Sequence, residues 1–105
     1  RFLDTFEVYD LKKDKWESFP PMPTSREGTV SAEINGKIYV IGGFSSLGYL
    51  TIVEIFDTKT NKWTTGESLP ISTAHATCEV VNGKIYVIGG ANVAGTLNTV
   101  QIYQP

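Results

Sequence analysis

The sequence contains the same nine residues twice, and this repeat constrains the fold more than any other feature. Residues 35–43 read Asn-Gly-Lys-Ile-Tyr-Val-Ile-Gly-Gly, and they return unchanged at residues 82–90, an offset of 47 positions. Repeats with a period of about 20–50 residues are typical of solenoids, propellers and similar arrays, in which each repeat is one supersecondary unit. The chain is therefore expected to stack copies of one small unit.

The repeated segment predicts a tight hairpin corner followed by a buried strand. Asn-Gly tolerates the positive φ angles of a type I′ turn, so residues 35–36 and 82–83 are expected at such corners. The Lys-Ile-Tyr-Val-Ile run that follows is rich in β-branched and aromatic residues, which fits a strand buried on both faces. The paired glycines then end the strand where the backbone bends or closely approaches a neighbour.

The rest of the chain repeats with the same offset. Eight residues ahead of the first hairpin recur as identical residues ahead of the second: Leu3, Glu7, Asp10, Lys12, Lys15, Trp16, Pro23 and Ser25 match Leu50, Glu54, Asp57, Lys59, Lys62, Trp63, Pro70 and Ser72. No stretch shows a 3.6-residue apolar period with helix caps. The fold class is therefore predicted as all-β, with four short antiparallel strands in each repeat.

Composition excludes several classes of function. The 105 residues carry a net charge of −2, which gives no basic surface for nucleic acid or an anionic membrane. No apolar run approaches the roughly 20 residues that span a bilayer. A single cysteine, Cys78, rules out an intrachain disulfide and a cysteine-rich metal site. No cofactor or metal is predicted, and the compartment stays open, with the cytoplasm favoured over a secreted or periplasmic location.

Short strands at even spacing suit a β-propeller, whose blades are four-stranded antiparallel sheets. The sequence resembles the kelch family, which has a double glycine closing the second strand, an aromatic residue on the third and a tryptophan on the fourth. The residues that match are Gly42, Gly43, Phe56 and Trp63, then Gly89, Gly90 and Tyr103, with Tyr9 and Trp16 ahead of them. The large aromatic residues, including Tyr39 and Tyr86, are expected to pack between stacked sheets rather than to contact a ligand.

The resemblance divides the chain into parts of three blades. Residues 1–25 would hold the last two strands of one blade and a crossover, residues 26–65 a complete blade, and residues 66–105 a crossover and the first three strands of the next. A propeller closes with about 4–8 blades, so the predicted ring is incomplete. Further blades are expected from other copies or, preferably, from a longer chain, because the sequence starts inside a repeat without a methionine.

The connections of such blades lie on two opposite faces. The Asn-Gly corners share one face with the polar turns at residues 10–14 and 57–61. The opposite face carries the crossovers at residues 20–26 and 69–75 and the loops after the double glycines at residues 44–49 and 91–96. These ranges together with Glu27 are called the loop face below. The loop face differs between the repeats, as expected of a binding surface on a constant scaffold. Ten residues on it are predicted to contact a partner: Ser25, Arg26, Glu27, Ser45, Ser46, Tyr49, Ser72, Thr73, His75 and Asn92.

Arg26 carries the most specific of these predictions. Kelch adaptors often place an arginine at the start of an inner strand, where it binds acidic partners, and a guanidinium binds a carboxylate through two parallel hydrogen bonds. The competing interpretation pairs Arg26 with Glu27 or with a neighbouring blade. Thr73 occupies the equivalent position in the second repeat, so a ring of arginines is not supported.

The resemblance implies a protein-interaction module that presents its loops to a peptide or protein partner, as in substrate adaptors. One alternative is a fragment of a carbohydrate-active or sugar-isomerising kelch enzyme, and another is a structural, self-assembling repeat unit. One histidine cannot build the copper site of a kelch-type oxidase. No nucleophile triad or phosphate-binding loop is recognisable either, so the chain is not predicted to be an enzyme.

Overall fold

The computed structural model describes residues 4–10 and 14–105, without the side chains of residues 8–10 and 19. This part of the chain is all-β, which confirms the predicted fold class, and none of it forms a helix that could cross a membrane. The strands are β1 Phe6–Asp10, β2 Lys15–Phe19, β3 Val30–Ile34, β4 Lys37–Ile41, β5 Phe44–Ser45, β6 Gly48–Tyr49, β7 Val53–Asp57, β8 Lys62–Thr65, β9 Thr77–Val81, β10 Lys84–Ile88, β11 Ala91–Asn92, β12 Gly95–Thr96 and β13 Val100–Tyr103.

Every strand pairs with its neighbours in antiparallel fashion. The large sheets have the orders β1-β2, β3-β4-β7-β8 and β9-β10-β13. Two small hairpins, β5-β6 and β11-β12, connect the second and third strands of the latter two sheets. The sequence predicted plain loops at residues 44–49 and 91–96, because strands of two residues are too short to show an alternating pattern.

The Asn-Gly corners have the predicted turn geometry. Asn35 and Gly36 both have positive φ angles, 53° and 78°, and Asn82 and Gly83 repeat them at 51° and 76°. The Thr58 amide donates to the Gly36 carbonyl at 3.0 Å, so the turn at residues 57–61 lies beside this corner. Most of the matching turn at residues 10–14 lies outside the described residues.

The four-stranded and the three-stranded sheet are held together by apolar side chains between them. Tyr39, Ile41 and Val53 project from the four-stranded sheet toward the second repeat. The residues that meet them are Leu69, Ile85 and Val87, and each of the six is at most 5% exposed. Full burial of a large aliphatic or aromatic side chain stabilises a fold by about 1.5–3 kcal/mol, so this interface is the main core of the chain.

A second cluster joins β1 to the four-stranded sheet through aromatic rings. Phe56 is 2% exposed, and its ring lies 4.6 Å from Phe6 and 5.2 Å from the half-buried Trp63. The Trp63 indole donates a hydrogen bond to the Pro20 carbonyl at 2.8 Å. Trp63 thereby ties the fourth strand of its sheet to the preceding crossover.

Trp16 does not have the environment that the sequence predicts for it. Its side chain is 70% exposed, although the equivalent Trp63 is half-buried. In the described residues its sheet consists of β1 and β2 alone, and a hairpin presents too little surface to enclose an indole ring. Tyr39 is 5% exposed, and Tyr86 and Tyr103 are half-buried. The side chain of Tyr9 lies outside the described residues.

The double glycine of the first repeat lies where the next crossover meets the sheet. Gly42 has a φ of 68°, and a methyl group placed on it would lie 2.5 Å from the Thr73 carbonyl oxygen. The Gly43 amide donates to that same carbonyl at 2.8 Å, and a methyl group on Gly43 would lie 2.7 Å from the Glu27 carbonyl oxygen. Glycine is needed here because the backbones are too close for a side chain.

Candidate functional site

The loop face is assembled from crossovers and small hairpins that hydrogen-bond to one another. Glu27 and Phe44 exchange backbone hydrogen bonds of 3.0 and 2.8 Å, which fasten hairpin β5-β6 to the first crossover. Ala74 and Ala91 exchange two of 3.0 Å, which fasten hairpin β11-β12 to the second. The two repeats therefore have the same arrangement of crossover and small hairpin, side by side, although their loop sequences differ.

Arg26 is a buried structural residue, and its predicted contact with an acidic partner is wrong. Its side chain is 0% exposed. The guanidinium donates to the carbonyls of Gly42 at 2.8 Å, Ile52 at 3.1 Å and Val40 at 3.2 Å. Its fourth hydrogen bond, 2.9 Å long, goes to the carboxylate of Glu54. A partner cannot reach a guanidinium that is enclosed and engaged in this way.

The counter-charge of Arg26 lies within its own sheet, on β7. Glu54 is 3% exposed and also accepts a 2.8 Å hydrogen bond from the Thr24 hydroxyl. The alternative partner, Glu27, is exposed, and its backbone pairs with that of Phe44 in hairpin β5-β6. Burial lowers the pKa of Arg26 and the Glu54 charge opposes that shift, and an arginine stays protonated in either case. The pair clamps the first crossover onto β4 and β7.

The second repeat replaces this ion pair with a neutral pair at the same positions. Thr73 stands where Arg26 stands, and its hydroxyl donates to the Gly89 carbonyl at 3.0 Å. Gln101 stands where Glu54 stands, and its amide makes bonds of 2.9 and 3.1 Å with the Ile71 backbone. Thr73 is 1% exposed, so its predicted partner contact is also wrong.

Ser45 and Asn92 occupy equivalent positions and hold the turns of the two small hairpins. Ser45 is 4% exposed, and its hydroxyl oxygen accepts the Leu47 amide at 3.1 Å. The Asn92 side chain accepts the Ala94 amide at 2.9 Å and donates to the Ser72 carbonyl at 2.9 Å. These side chains fix the loops from within, which replaces the predicted partner contact for Ser45.

His75 is exposed, and its backbone conformation and backbone hydrogen bond, more than its imidazole, define its role in the structure. It has a φ of 59° where the first repeat has Gly28 at 67°. Its amide donates to the Gly28 carbonyl at 2.8 Å, and a methyl group on Gly28 would lie 2.9 Å from the imidazole ring. Of the other predicted residues, Ser25, Glu27 and Ser46 are exposed, Tyr49 is 36% exposed, and Ser72 and Asn92 are half-buried.

Two apolar side chains at the hairpin tips were missed by the sequence analysis. Leu47 is 85% exposed and Val93 is 92% exposed, and they lie in the turns of β5-β6 and β11-β12. Turn positions usually hold glycine, proline or small polar residues, so a large aliphatic residue there was the available signal. Ile71, 38% exposed, adds apolar surface on the neighbouring crossover.

A cavity of about 210 Å³ lies beside β13, and the repeat explains what it is. Its lining residues are 67–70 and 101–104. The equivalent residues of the first repeat, 47 positions earlier, are 20–23 and 54–57. They form the environment of Trp63, whose ring packs against Phe56 and whose indole N–H donates to the Pro20 carbonyl. The cavity is therefore the counterpart of a tryptophan packing site and not a candidate ligand site. No cluster of three or more histidine, cysteine or acidic side chains suited to a metal occurs in residues 4–10 and 14–105.

Cys78 is expected to react slowly with thiol reagents in the folded chain. Burial, followed by the Glu79 carboxylate, raises the pKa of its thiol, and the thiol donates to the Ser31 carbonyl at 3.1 Å. A higher pKa leaves less of the reactive thiolate at a given pH. Alkylation by iodoacetamide at mildly alkaline pH should therefore be several-fold slower for the native chain than for the chain in urea. Glu79→Gln should move the pH profile toward lower pH, and an unchanged profile would contradict the electrostatic part of this account.

Comparison with known proteins finds similarity over the whole chain and over parts of it. The family model described as the KLHDC2/KLHL20/DRC7 Kelch-repeats domain matches residues 1–105. Kelch-like protein 40 of Xenopus laevis is 41% identical over 44 residues, which cover 42% of this chain and 7% of that protein. Kelch-like protein 4 of Homo sapiens is 34% identical over 53 residues, which cover 50% of this chain and 7% of that protein. The chain thus corresponds to a small part of these relatives.

A solved structure shares the arrangement of the sheets. The structure of YjhT superposes with a TM-score of 0.71 and 27% sequence identity. The superposition covers 87% of this chain and 35% of that chain.

Proposed function

This chain belongs to the kelch-repeat family, and we propose that it is a protein-interaction module whose loop face binds a peptide or protein partner. Its sheets are kelch-type propeller blades, and the described residues form fewer of them than the roughly 4–8 blades of a closed ring. The observation that carries the proposal is the pair of exposed aliphatic side chains, Leu47 and Val93, on the face that varies between otherwise matching repeats.

The construction of the loop face supports this role. Backbone bridges hold both small hairpins to their crossovers, and side-chain hydrogen bonds fix the hairpin turns, so binding would order little of the chain. A surface that is already ordered loses less conformational entropy on association, which favours affinity. We propose in addition that the module serves a substrate adaptor, the role that the kelch resemblance implies.

An enzymatic role receives no comparable support from the loop face. In the described part of this face the ionisable side chains are Arg26, Glu27, Tyr49 and His75. Arg26 is enclosed within its sheet, and the His75 ring packs over Gly28. A catalytic nucleophile is commonly activated by a general base within hydrogen-bonding reach, and no hydrogen bond joins any two of these four side chains in the described residues.

The proposal is tested by locating the face that binds selected peptides. Random short peptides displayed on phage are selected on the immobilised chain, and a selected peptide is titrated into the isotopically labelled chain. We expect amide shift changes concentrated at residues 44–49 and 91–96. The Asn-Gly corners at residues 35–36 and 82–83 are the internal control and should not respond. Selection of no peptide, or shifts centred on the control corners, would contradict the proposed function.

A further inference from the structure

We infer that the segment bound by the loop face is uncharged and apolar, and that aliphatic or aromatic side chains of this segment pack on Leu47 and Val93. This inference rests on the proposed function and names the kind of partner it implies. It also reverses the acidic partner predicted from Arg26, because that guanidinium is buried against Glu54.

Leu47 is not left exposed by a gap in the packing of the fold. The β5-β6 hairpin stands on the complete four-stranded sheet, with the second repeat packed beside it, yet Leu47 is 85% exposed. Val93 is 92% exposed in the turn of the equivalent hairpin. Single exposed hydrophobic residues are ordinary. Two repeats that differ in loop sequence nevertheless each place one large aliphatic residue in the same turn.

Each of these tips is held in a fixed conformation. The Leu47 amide is bound by the Ser45 hydroxyl, and the amide that follows Val93 is bound by the Asn92 side chain. Each turn is closed by a glycine with positive φ: Gly48, which follows Leu47, at 104°, and Gly95, which follows Ala94, at 115°. An apolar side chain on an ordered turn loses little further entropy when it is covered, so both residues suit the role of binding anchors.

The charges on the loop face give no attraction for an acidic segment and, through one exposed carboxylate, only a weak one for a basic segment. Within the described residues of this face, the one arginine is paired internally, and no lysine or aspartate is present. The exposed carboxylate is Glu27, and the whole chain has a net charge of −2, which repels acidic segments weakly. Burial of apolar area, worth about 25 cal/mol per Å², is therefore the main attraction that this face offers. Tyr49 and Ile71, 36% and 38% exposed, extend the apolar surface.

The inference is tested with the display-selected peptides and two matched double variants. Leu47→Asp with Val93→Asp removes both apolar anchors, whereas Ala94→Asp with Thr96→Asp adds the same charge to the exposed residues of the β11-β12 hairpin. We expect the selected peptides to be apolar, with little net charge and an affinity that changes less than twofold between low and high salt. We expect the first variant to weaken binding by about tenfold or more and the second by less than about threefold.

The possible failures separate the inference from the proposed function. Selected peptides that are acidic or basic, that bind the loop face and that weaken with salt would overturn the inference and leave the function standing. Equal losses in the two double variants would also overturn it, because charge and not lost apolar contact would then explain the effect. Selection of no peptide would overturn both. Thermal unfolding of each variant checks that the fold is kept, and since all four positions are exposed we expect no large change.

Discussion

Replacing Glu54 by glutamine is expected to lower the free energy of unfolding by about 3 kcal/mol, because the Arg26 guanidinium then stays buried without a counter-charge. Glutamine keeps the size of the side chain, so the loss reports on charge and hydrogen bonding. Arg26 keeps its three backbone acceptors in this variant, but carbonyl groups do not neutralise it. The Nε of Arg26 is already buried without an acceptor among the described residues, so the guanidinium has little freedom to find another partner.

The second repeat supplies the control for this prediction. Arg26→Thr together with Glu54→Gln copies the neutral residues Thr73 and Gln101, which occupy the equivalent positions and bond to the backbone. We expect the double variant to lose less stability than the sum of the two single changes, with a difference of about 2 kcal/mol. Urea unfolding, monitored by tryptophan fluorescence, gives the free energy of unfolding of the parent chain, of each single variant and of the double variant. Strictly additive losses would show that the ion pair does not couple the crossover to β7.

Replacing Gly42 by alanine is expected to destabilise the chain by several kcal/mol, more than the same change at Gly89. Both glycines follow the same Lys-Ile-Tyr-Val-Ile strand and have almost the same φ, 68° and 70°, so the backbone strain of the two variants is alike. A left-handed conformation costs alanine about 1–2 kcal/mol. The methyl group at Gly42 would in addition lie 2.5 Å from the Thr73 carbonyl oxygen, whereas at Gly89 the nearest atom is 3.5 Å away.

The difference between these two alanine variants measures the contact between the repeats. Relief of the clash at Gly42 requires the second crossover to move, which would also stretch the 2.8 Å hydrogen bond from Gly43 to Thr73. Denaturant midpoints of the two variants and of the parent chain provide the comparison. Equal destabilisation would mean that the crossover gives way easily and that the double glycine is needed for its φ angles alone.

Features that depend on neighbouring residues could be predicted from the sequence. The Asn-Gly turns and the all-β class follow from local turn chemistry and from strand composition, and the structure has both. The small hairpins β5-β6 and β11-β12 could not be predicted, because two-residue strands carry no alternation. The burial of Trp16 could not be inferred from its repeat equivalent Trp63, since the burial of an indole depends on the sheets around it and not on its own strand.

The role of Arg26 required a contact between residues that are distant in the sequence. Glu54 lies 28 positions away, and nothing near Arg26 indicates that partner. The repeat gives only a weak signal. Thr73 and Gln101 have the same separation and differ from Arg26 and Glu54, but β9 also differs from β3 at every equivalent position. The change at these two positions therefore does not single them out as a pair.

The ion pair of the first repeat also bears on how two repeats that share one identical strand avoid exchanging strands while they fold. β4 and β10 have the same sequence, so β3 can join β10, or β9 can join β4, with no penalty in local structure. Such exchanges trap repeat proteins in misassembled states. If β3 joined β10, Arg26 would face Gln101, and Glu54 would face Thr73 in the opposite exchange. Either exchange would bury a charge beside a neutral group, so the ion pair disfavours the wrong strand partner.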